Sequence, residues 1–422
     1  MKRPTAASLK RVNAQNLAAL GSERLAEILV SVADTKPELK RWLRMELAAE
    51  QGADHLCVEI DKRLASLETS RSKVSWRQRP TFVRDLDVLR VLIADRLSGL
   101  DSAAALDRMW LFMDLAPRLG PRVHDRDGDL AAVFDRASHD LGRLIKGASD
   151  ALVAAGLVEA LVGNPVGWAE WLPAVLQLSS PELAQAALRL ISARPGAVPG
   201  WIKLIRQLAD AAGDLEAFRS TFSDEALRNP SIAADLAQRL LRAQRIEEAG
   251  RVLEAAKGAF VTGKPAPKAR LAEPDFDWET AWIDYLDCSG QAEAAQALKW
   301  SSFERTLSMD RAKAFIRRLP DFDDVEAESR AFEFASGHVD FSRGLKFLMD
   351  WPAVPEAGRM IQARPEEVRV HHVLAELWAS KLRVRQPTAA HLLLRKAAAE
   401  AFKRREYATC DRLTKEADAI VV

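Results

Sequence analysis

Residues 233–256, AADLAQRLLRAQRIEEAGRVLEAA, decide the fold. Leu236, Ala237 and Leu240 share one face of a first helical segment, and Ala249, Leu253 and Ala256 share one face of a second. The charged run Arg245 to Glu248 covers the start of that second segment. Large and small apolar residues at a 3.6-residue period describe two helices that pack on each other, closest where alanine stands. Just upstream, Asn229-Pro230 supplies a polar cap followed by proline at the first helical position, where a missing N–H costs nothing. Ser180-Pro181 and Gln386-Pro387 repeat that signal, and Thr35-Lys36-Pro37-Glu38 reads as a capping box. Amphipathic stripes occur at Leu25, Ile28, Leu29 and Val32, and again at Phe82, Leu86, Leu89 and Ile93. No Asn-Gly hairpin and no sustained two-residue alternation is present, so the expected class is all-α.

The helix pair recurs with uneven spacing. Trp201, Leu204, Leu208 and Ala217 form an earlier copy, and Trp278, Tyr285, Ala294, Leu298 and Ser301 a later one. Ala397, Ala398, Tyr407, Cys410 and Ala417 form a fainter copy near the end. The pattern resembles the tetratricopeptide repeat, which places large residues at positions 4, 7, 11 and 24 and small ones at 8, 20 and 27. The resemblance implies a degenerate helical-hairpin solenoid, here with the repeat's final proline replaced by Val261. A Gly- and Pro-containing loop at 258–274 absorbs the extra length between two copies. Residues 1–163 show no repeat, and Gly156, Gly163, Gly167 and Asn164-Pro165 mark a division. The expected domains are therefore a helical N-terminal domain, 1–163, and a repeat region, 164–422.

Three N-terminal stretches carry a second resemblance: Asn16 to Leu29 (NLAALGSERLAEIL), Arg84-Asp85-Leu86-Asp87, and Asp125-Arg126-Asp127-Gly128-Asp129 followed by Phe134 and Asp140-Leu141-Gly142. These are similar to a bacterial all-helical family of unknown function, sometimes found behind a SWIM-type zinc-binding module. This chain has no Cys-x-Cys or Cys-x-His pair, so the zinc module is not expected. The resemblance implies a bacterial helical scaffold and carries no activity.

Composition narrows the class further. The 422 residues carry 61 basic and 60 acidic side chains and are 48% apolar. No apolar run reaches the ~18 to 20 residues of a membrane helix, and Met1-Lys2-Arg3-Pro4-Thr5 leads into a polar stretch, so a cytoplasmic protein is expected. Cys57, Cys288 and Cys410 lie far apart and are expected to be reduced and mostly buried. Nucleophile-elbow, phosphate-loop and His-Glu-x-x-His motifs are absent, which favours a non-enzymatic reading without cofactors.

Four groups of residues are candidates for contact with something else. The acidic loop 124–129 places Asp125, Asp127 and Asp129 at alternate positions, where their oxygens could hold a hard cation in a metal-dependent enzyme. The same residues also suit a helix cap and an Asx turn, and the spacing is wrong for an EF-hand. Residues 62–84 carry seven basic side chains against Glu68, with Lys73, Trp76, Arg77, Arg79 and Arg84 as candidates for nucleic-acid contact. Residues 381–415 carry ten basic side chains against three acids, with Arg395, Lys396, Lys403, Arg404 and Arg405 as the matching set. Solvated helix faces would show the same charge runs. Finally, Arg206, Gln238 and Glu279 fall at or near inward positions of the first helices of the repeats, the expected contacts of a protein partner. The favoured reading is a cytoplasmic scaffold that binds a protein along the concave face of its repeats. A nucleic-acid-associated factor and a metal-dependent enzyme are the alternatives.

Overall fold

Capping side chains set several helix starts where the sequence places them. Asn229 accepts from the amides of Ser231 and Ile232, Ser180 from Leu183, and Asn164 from Gly167. The box expected at Thr35 does not form. Thr35 closes one helix, its hydroxyl donating to the Val32 carbonyl at 2.8 Å, and Lys36 stands uncapped before the next. The computed structural model describes residues 12–146, 148–194, 199–257 and 275–420, so the loop expected at 258–274 lies outside the described residues. Among these residues every regular element is a helix, and the only strand-like feature is an isolated bridge between Val74 and Val123. None of these helices is long and apolar enough to cross a membrane.

The chain divides into two compact units, Met1–Ser223 and Asp224–Val422. Gly163, where a division is expected, instead ends a helix that packs into the first unit.

In the first unit, α1 (Ala14–Ala18), α2 (Ser22–Thr35), α3 (Pro37–Gln51) and α4 (Ala53–Thr69) precede α5 (Arg79–Val91). A π-helical turn, Leu92–Leu97, prolongs α5 and brings Leu92, Ile93 and Ala94 into the core together. α6 (Ser102–Met113) and α7 (Ala116–Leu119) lead to α8 (Asp129–Ile145), which buries ten residues against α5, α6 and α10 (Pro165–Leu176). Phe134 of α8 lies between Phe112 and Trp171, and Trp168 between Trp110 and Trp171, so the Trp168/Trp171 pair belongs to the core. A Cβ on Gly142 would lie 3.2 Å from the Val175 carbonyl oxygen, which explains why α8 and α10 cross at a glycine. α9 (Asp150–Gly163) packs on α11 (Pro181–Ser192), α11 on α12 (Trp201–Ala212), and α12 on the short α13 (Leu215–Ser220). The early stripe is less covered than expected, with Leu29 and Val32 exposed on α2.

α5 and α8 are also tied by charge. Arg90 pairs with Asp87 and with the buried Asp140, and Arg136 donates to Asp87 at 3.1 Å. Burial raises the Asp87 pKa, but the Arg90 and Arg136 guanidiniums outweigh it and hold the carboxyl below its ordinary value of 3.8. A depressed carboxylate contributes stability above its unfolded pKa and loses it as pH falls through the lower folded value. Asp87→Asn should therefore lower Tm at pH 7, and its difference from the unmodified protein should shrink as pH falls below about 4. Thermal melts between pH 7 and pH 2.5 check this, and a constant difference across that range would contradict it.

In the second unit, α14 (Pro230–Arg242) and α15 (Ile246–Lys257) form the hairpin read from 233–256, with Leu236, Ala237, Leu240, Ala249, Leu253 and Ala256 all buried. α16 (Phe276–Cys288) packs on both, and a Cβ on Gly250 would lie 2.6 Å from the Tyr285 ring. Then follow α17 (Ala292–Thr306), α18 (Met309–Ile316), α19 (Asp323–Gly337), α20 (Phe341–Asp350), α21 (Val354–Ala363), α22 (His372–Leu382), α23 (Pro387–Lys403) and α24 (Tyr407–Asp418). Their principal pairings join each helix to the next or the next but one.

The third copy departs from the expected register by one residue. Ala295, Lys299 and Ser302 face inward, not Ala294, Leu298 and Ser301. The rotation of α17 buries Phe303 and brings two polar nodes together. Lys299 reaches Asp287 at 2.9 Å, and Ser302 and Arg305 donate to the buried Glu279. The first copy ends in the six-residue α13. The last keeps Ala397, Ala398 and Ala417 buried but leaves Tyr407 exposed. Of the cysteines, Cys57 is buried, Cys410 half-buried and Cys288 exposed, so the expectation of mostly buried thiols fails at Cys288.

Candidate functional site

Helix α4 is amphipathic in charge as well as in hydropathy. Asp61, Leu64, Ala65 and Glu68 recur at helical spacing and line one cavity, while Arg63, Ser66, Leu67 and Ser70 line another. The acidic cavity has a volume of about 900 Å³ and is completed by Asp107, Trp110 and Asp114 and by Gly156 and Glu159 of α9. Much of its charge is balanced within the chain: Arg108 holds Asp61 by two bonds, at 2.8 and 3.1 Å, and Arg118 pairs with Glu68 at 3.1 Å.

The opposite cleft, about 460 Å³, is basic. Arg41 of α3, Arg63 of α4, Lys73, Arg77 and Arg122 line it against two acids, Glu38 and Asp85. Asp85 of α5 serves two guanidiniums at once, Arg63 and, at 3.1 Å, Arg41. Arg122 ties down the segment after α4 by donating to the carbonyls of Leu67 at 2.8 Å and Ser72 at 3.1 Å and to the Ser70 hydroxyl at 3.0 Å. The Val74 amide in turn donates to the Arg122 carbonyl at 3.0 Å, beside the Val74–Val123 bridge. This pinning places Lys73 and Arg77 at the rim. Burial pushes the Arg63 pKa down, and the neighbouring Arg41 and Arg122 add repulsion against the pull of Asp85. The Nε of Arg41 is buried without an acceptor among the described residues. Beside the cleft Trp76 is 76% exposed, with the Arg77 guanidinium 5.1 Å from its ring centre.

The acidic loop and the N-terminal basic stretch, read separately in the sequence, meet in space. Arg79 donates to the His124 carbonyl at 3.1 Å, pairs with Asp127 and lies 3.8 Å from Asp129. Asp125 accepts from the amides of Leu130 and Ala131 at the start of α8, and Gly128 takes the left-handed φ of +76° that the turn requires. The metal reading of Asp125, Asp127 and Asp129 is thus corrected: one carboxylate caps a helix and the other two neutralise Arg79. Among the described residues no three His, Cys, Asp or Glu side chains are grouped to hold an ion. Asp125→Ala should cost ~1–2 kcal/mol, the scale of a lost cap, read as a lower Tm. Millimolar calcium should leave the unmodified protein's melting curve where it is; a calcium-dependent rise abolished by this substitution would restore the metal reading.

Three of the five candidates in the C-terminal basic stretch are paired within their own unit. Arg395 pairs with Asp418, Lys396 with Glu366, and Lys403 with Glu400. Arg404 lines a small cavity with His371, His372 and Glu406, and Arg405 takes a left-handed φ of +65° after α23. Of the N-terminal set, Arg79 is committed to the loop and Arg84 is exposed on α5, leaving Lys73, Trp76 and Arg77 around the cleft.

Of the three expected partner contacts, Arg206 belongs to the first unit and Gln238 and Glu279 to the second. Arg206 donates to the Thr221 hydroxyl at 2.8 Å and lies 3.6 Å over the Phe222 ring, clasping the end of α13. Glu279 is 2% exposed and bonded within its unit, and Gln238 is half-buried on α14. Arg206 and Glu279 are thus each engaged by groups of their own unit.

A family model covers nearly the whole chain, matching residues 7–198 and 201–419. The chain belongs to DUF6880, a family of unknown function. No curated protein matches it. Several residues that carry the N-terminal resemblance have structural work: Asp85 holds Arg41 and Arg63, Asp87 and Asp140 hold Arg90, Asp125 caps α8, and Gly142 lets α10 approach. The meeting of Arg41 and Arg122 with Arg63 is not legible in the sequence, because those two lie outside the basic run. Asp85, an acid just beyond that run, was the available sign of it.

Proposed function

We propose that this DUF6880 chain is a cytoplasmic, tetratricopeptide-like helical scaffold that binds a partner protein without catalysis. The observation that carries the proposal is the face of α22. Ala375, Trp378, Ala379 and Leu382 bury one side, yet Val373, Leu374 and Leu377 remain 58, 41 and 51% exposed at i, i+1 and i+4 on the other. Three large aliphatic residues at that spacing form a continuous patch of the kind that receives the apolar face of a partner helix. The repeated pairing of each helix with its next neighbours supports a rigid solenoid frame for such a patch. This surface replaces Arg206, Gln238 and Glu279 as the expected partner contact.

A photoreactive amino acid at Leu377 tests the proposal, with Leu152 of α9, an isolated exposed leucine, as control. The expected result is a protein adduct from position 377 and none of that mass from position 152. Equal labelling from both, or none from 377, would contradict it.

A further inference from the structure

The basic cleft has a charge balance that the fold alone does not satisfy. Asp85 already serves Arg41 and Arg63 together, Glu38 is the only other acid on the wall, and Lys73 and Arg77 make no ion pair among the described residues. The buried Arg41 Nε–H lacks an acceptor, so this wall offers a desolvated donor in addition to excess positive charge. A group with several acceptor oxygens and negative charge answers both needs, and guanidiniums match phosphate through paired N–H bonds. Arg77 joins this cleft to an aromatic plate, since it lines the wall and also lies against the exposed Trp76 ring. Cations that track a backbone beside a flat aromatic surface are the two parts of a single-strand binding site.

We propose that the cleft between α3, α4 and the segment 70–78 binds a backbone phosphate of a single-stranded nucleic acid, with an adjacent base stacked on Trp76. The site lies wholly in the first unit and uses no residue of α22, so it stands or falls apart from the scaffold proposal. Single strands are favoured over duplexes because only an unpaired base offers its face to the indole. A phosphopeptide would use the cations and leave Trp76 idle.

The test is fluorescence anisotropy of the full chain with a labelled single-stranded 12-mer of mixed sequence, at low and moderate salt. Competitors are the matching duplex, inorganic phosphate and a phosphoserine peptide. The variants are Trp76→Ala and the double substitution Arg41→Gln with Arg77→Gln, each first shown to melt like the unmodified protein. Trp76 is exposed and the Asp85–Arg63 pair is retained, so both variants should fold. The expected result is salt-sensitive binding of the single strand, at least tenfold weaker for the duplex, weakened about tenfold by Trp76→Ala and lost in the double variant. No binding, equal affinity for duplex, indifference to Trp76→Ala, or stronger competition by the phosphopeptide would each overturn the proposal.

Discussion

Glu279→Ala should unfold the second unit more readily than any surface change, at a cost of ~3–5 kcal/mol, the range for removing one partner of a buried ion pair. Glu279 accepts from Ser302 and Arg305, while the buried Arg311 reaches the same Ser302 and, at 2.6 Å, the Thr280 hydroxyl. Burial pushes the Arg311 pKa down, and Glu279 is the strongest of the charges that oppose this. Without that carboxylate, Arg305 on α17 loses its ion pair and Arg311 on α18 the largest of its opposing charges, and the node joining α16, α17 and α18 opens. The effect would appear as a fall in Tm of roughly ten degrees, at ~2–4 °C per kcal/mol for a unit of this size. An unchanged Tm accompanied by loss of a binding partner would instead make Glu279 the contact residue that its repeat position suggested.

Gly344→Ala should be nearly as costly. In an open helix this change gains up to ~1 kcal/mol, because alanine is the better helix former. At Gly344, however, an added Cβ would overlap the Ala335 carbonyl oxygen of α19 and approach the Met360 methyl to 3.1 Å. The first obstacle is backbone, so α19 and α20 must separate, and a penalty of ~3 kcal/mol, at the upper end of the overpacking range, is expected. Gly337→Ala, on α19 with nothing within 4 Å of the added carbon, is the control and should be neutral or gain up to ~1 kcal/mol. Equal Tm values for the two variants would show that the α19–α20 contact is looser than described.

Helical class was legible because it depends on local periodicity and caps, which residues 233–256 and Asn229-Pro230 display without reference to anything distant. Register was less so. Ala294 and Ala295 are equally small, and it is the burial of Phe303 together with the reach of Lys299 to Asp287 and of Ser302 to Glu279 that selects which of them faces inward. The site depends almost entirely on long-range contacts. Arg79 meets Asp127 across 48 positions, and Arg122 reaches back more than fifty to Leu67 and Ser70, so two stretches that compete as separate hypotheses in the sequence form one neighbourhood. Charge runs announce that cations are present but not whether acids elsewhere neutralise them. Residues 381–415 are the more basic run, yet Arg395, Lys396 and Lys403 are paired with Asp418, Glu366 and Glu400, whereas Lys73 and Arg77 line the cleft without an ion pair among the described residues.

The scaffold claim is tested most directly by capture from a lysate of the source cell at ~100 and ~500 mM salt with nuclease present, since salt screens exposed charge contacts while apolar docking survives. The full chain and the double substitution Leu374→Asp with Leu377→Asp are compared, the latter after its Tm is shown to be unchanged. The account predicts a defined protein retained by the unmodified chain at both salt concentrations and lost from the variant. Retention of the same protein by the variant, or no retained protein at ~500 mM salt, would contradict it.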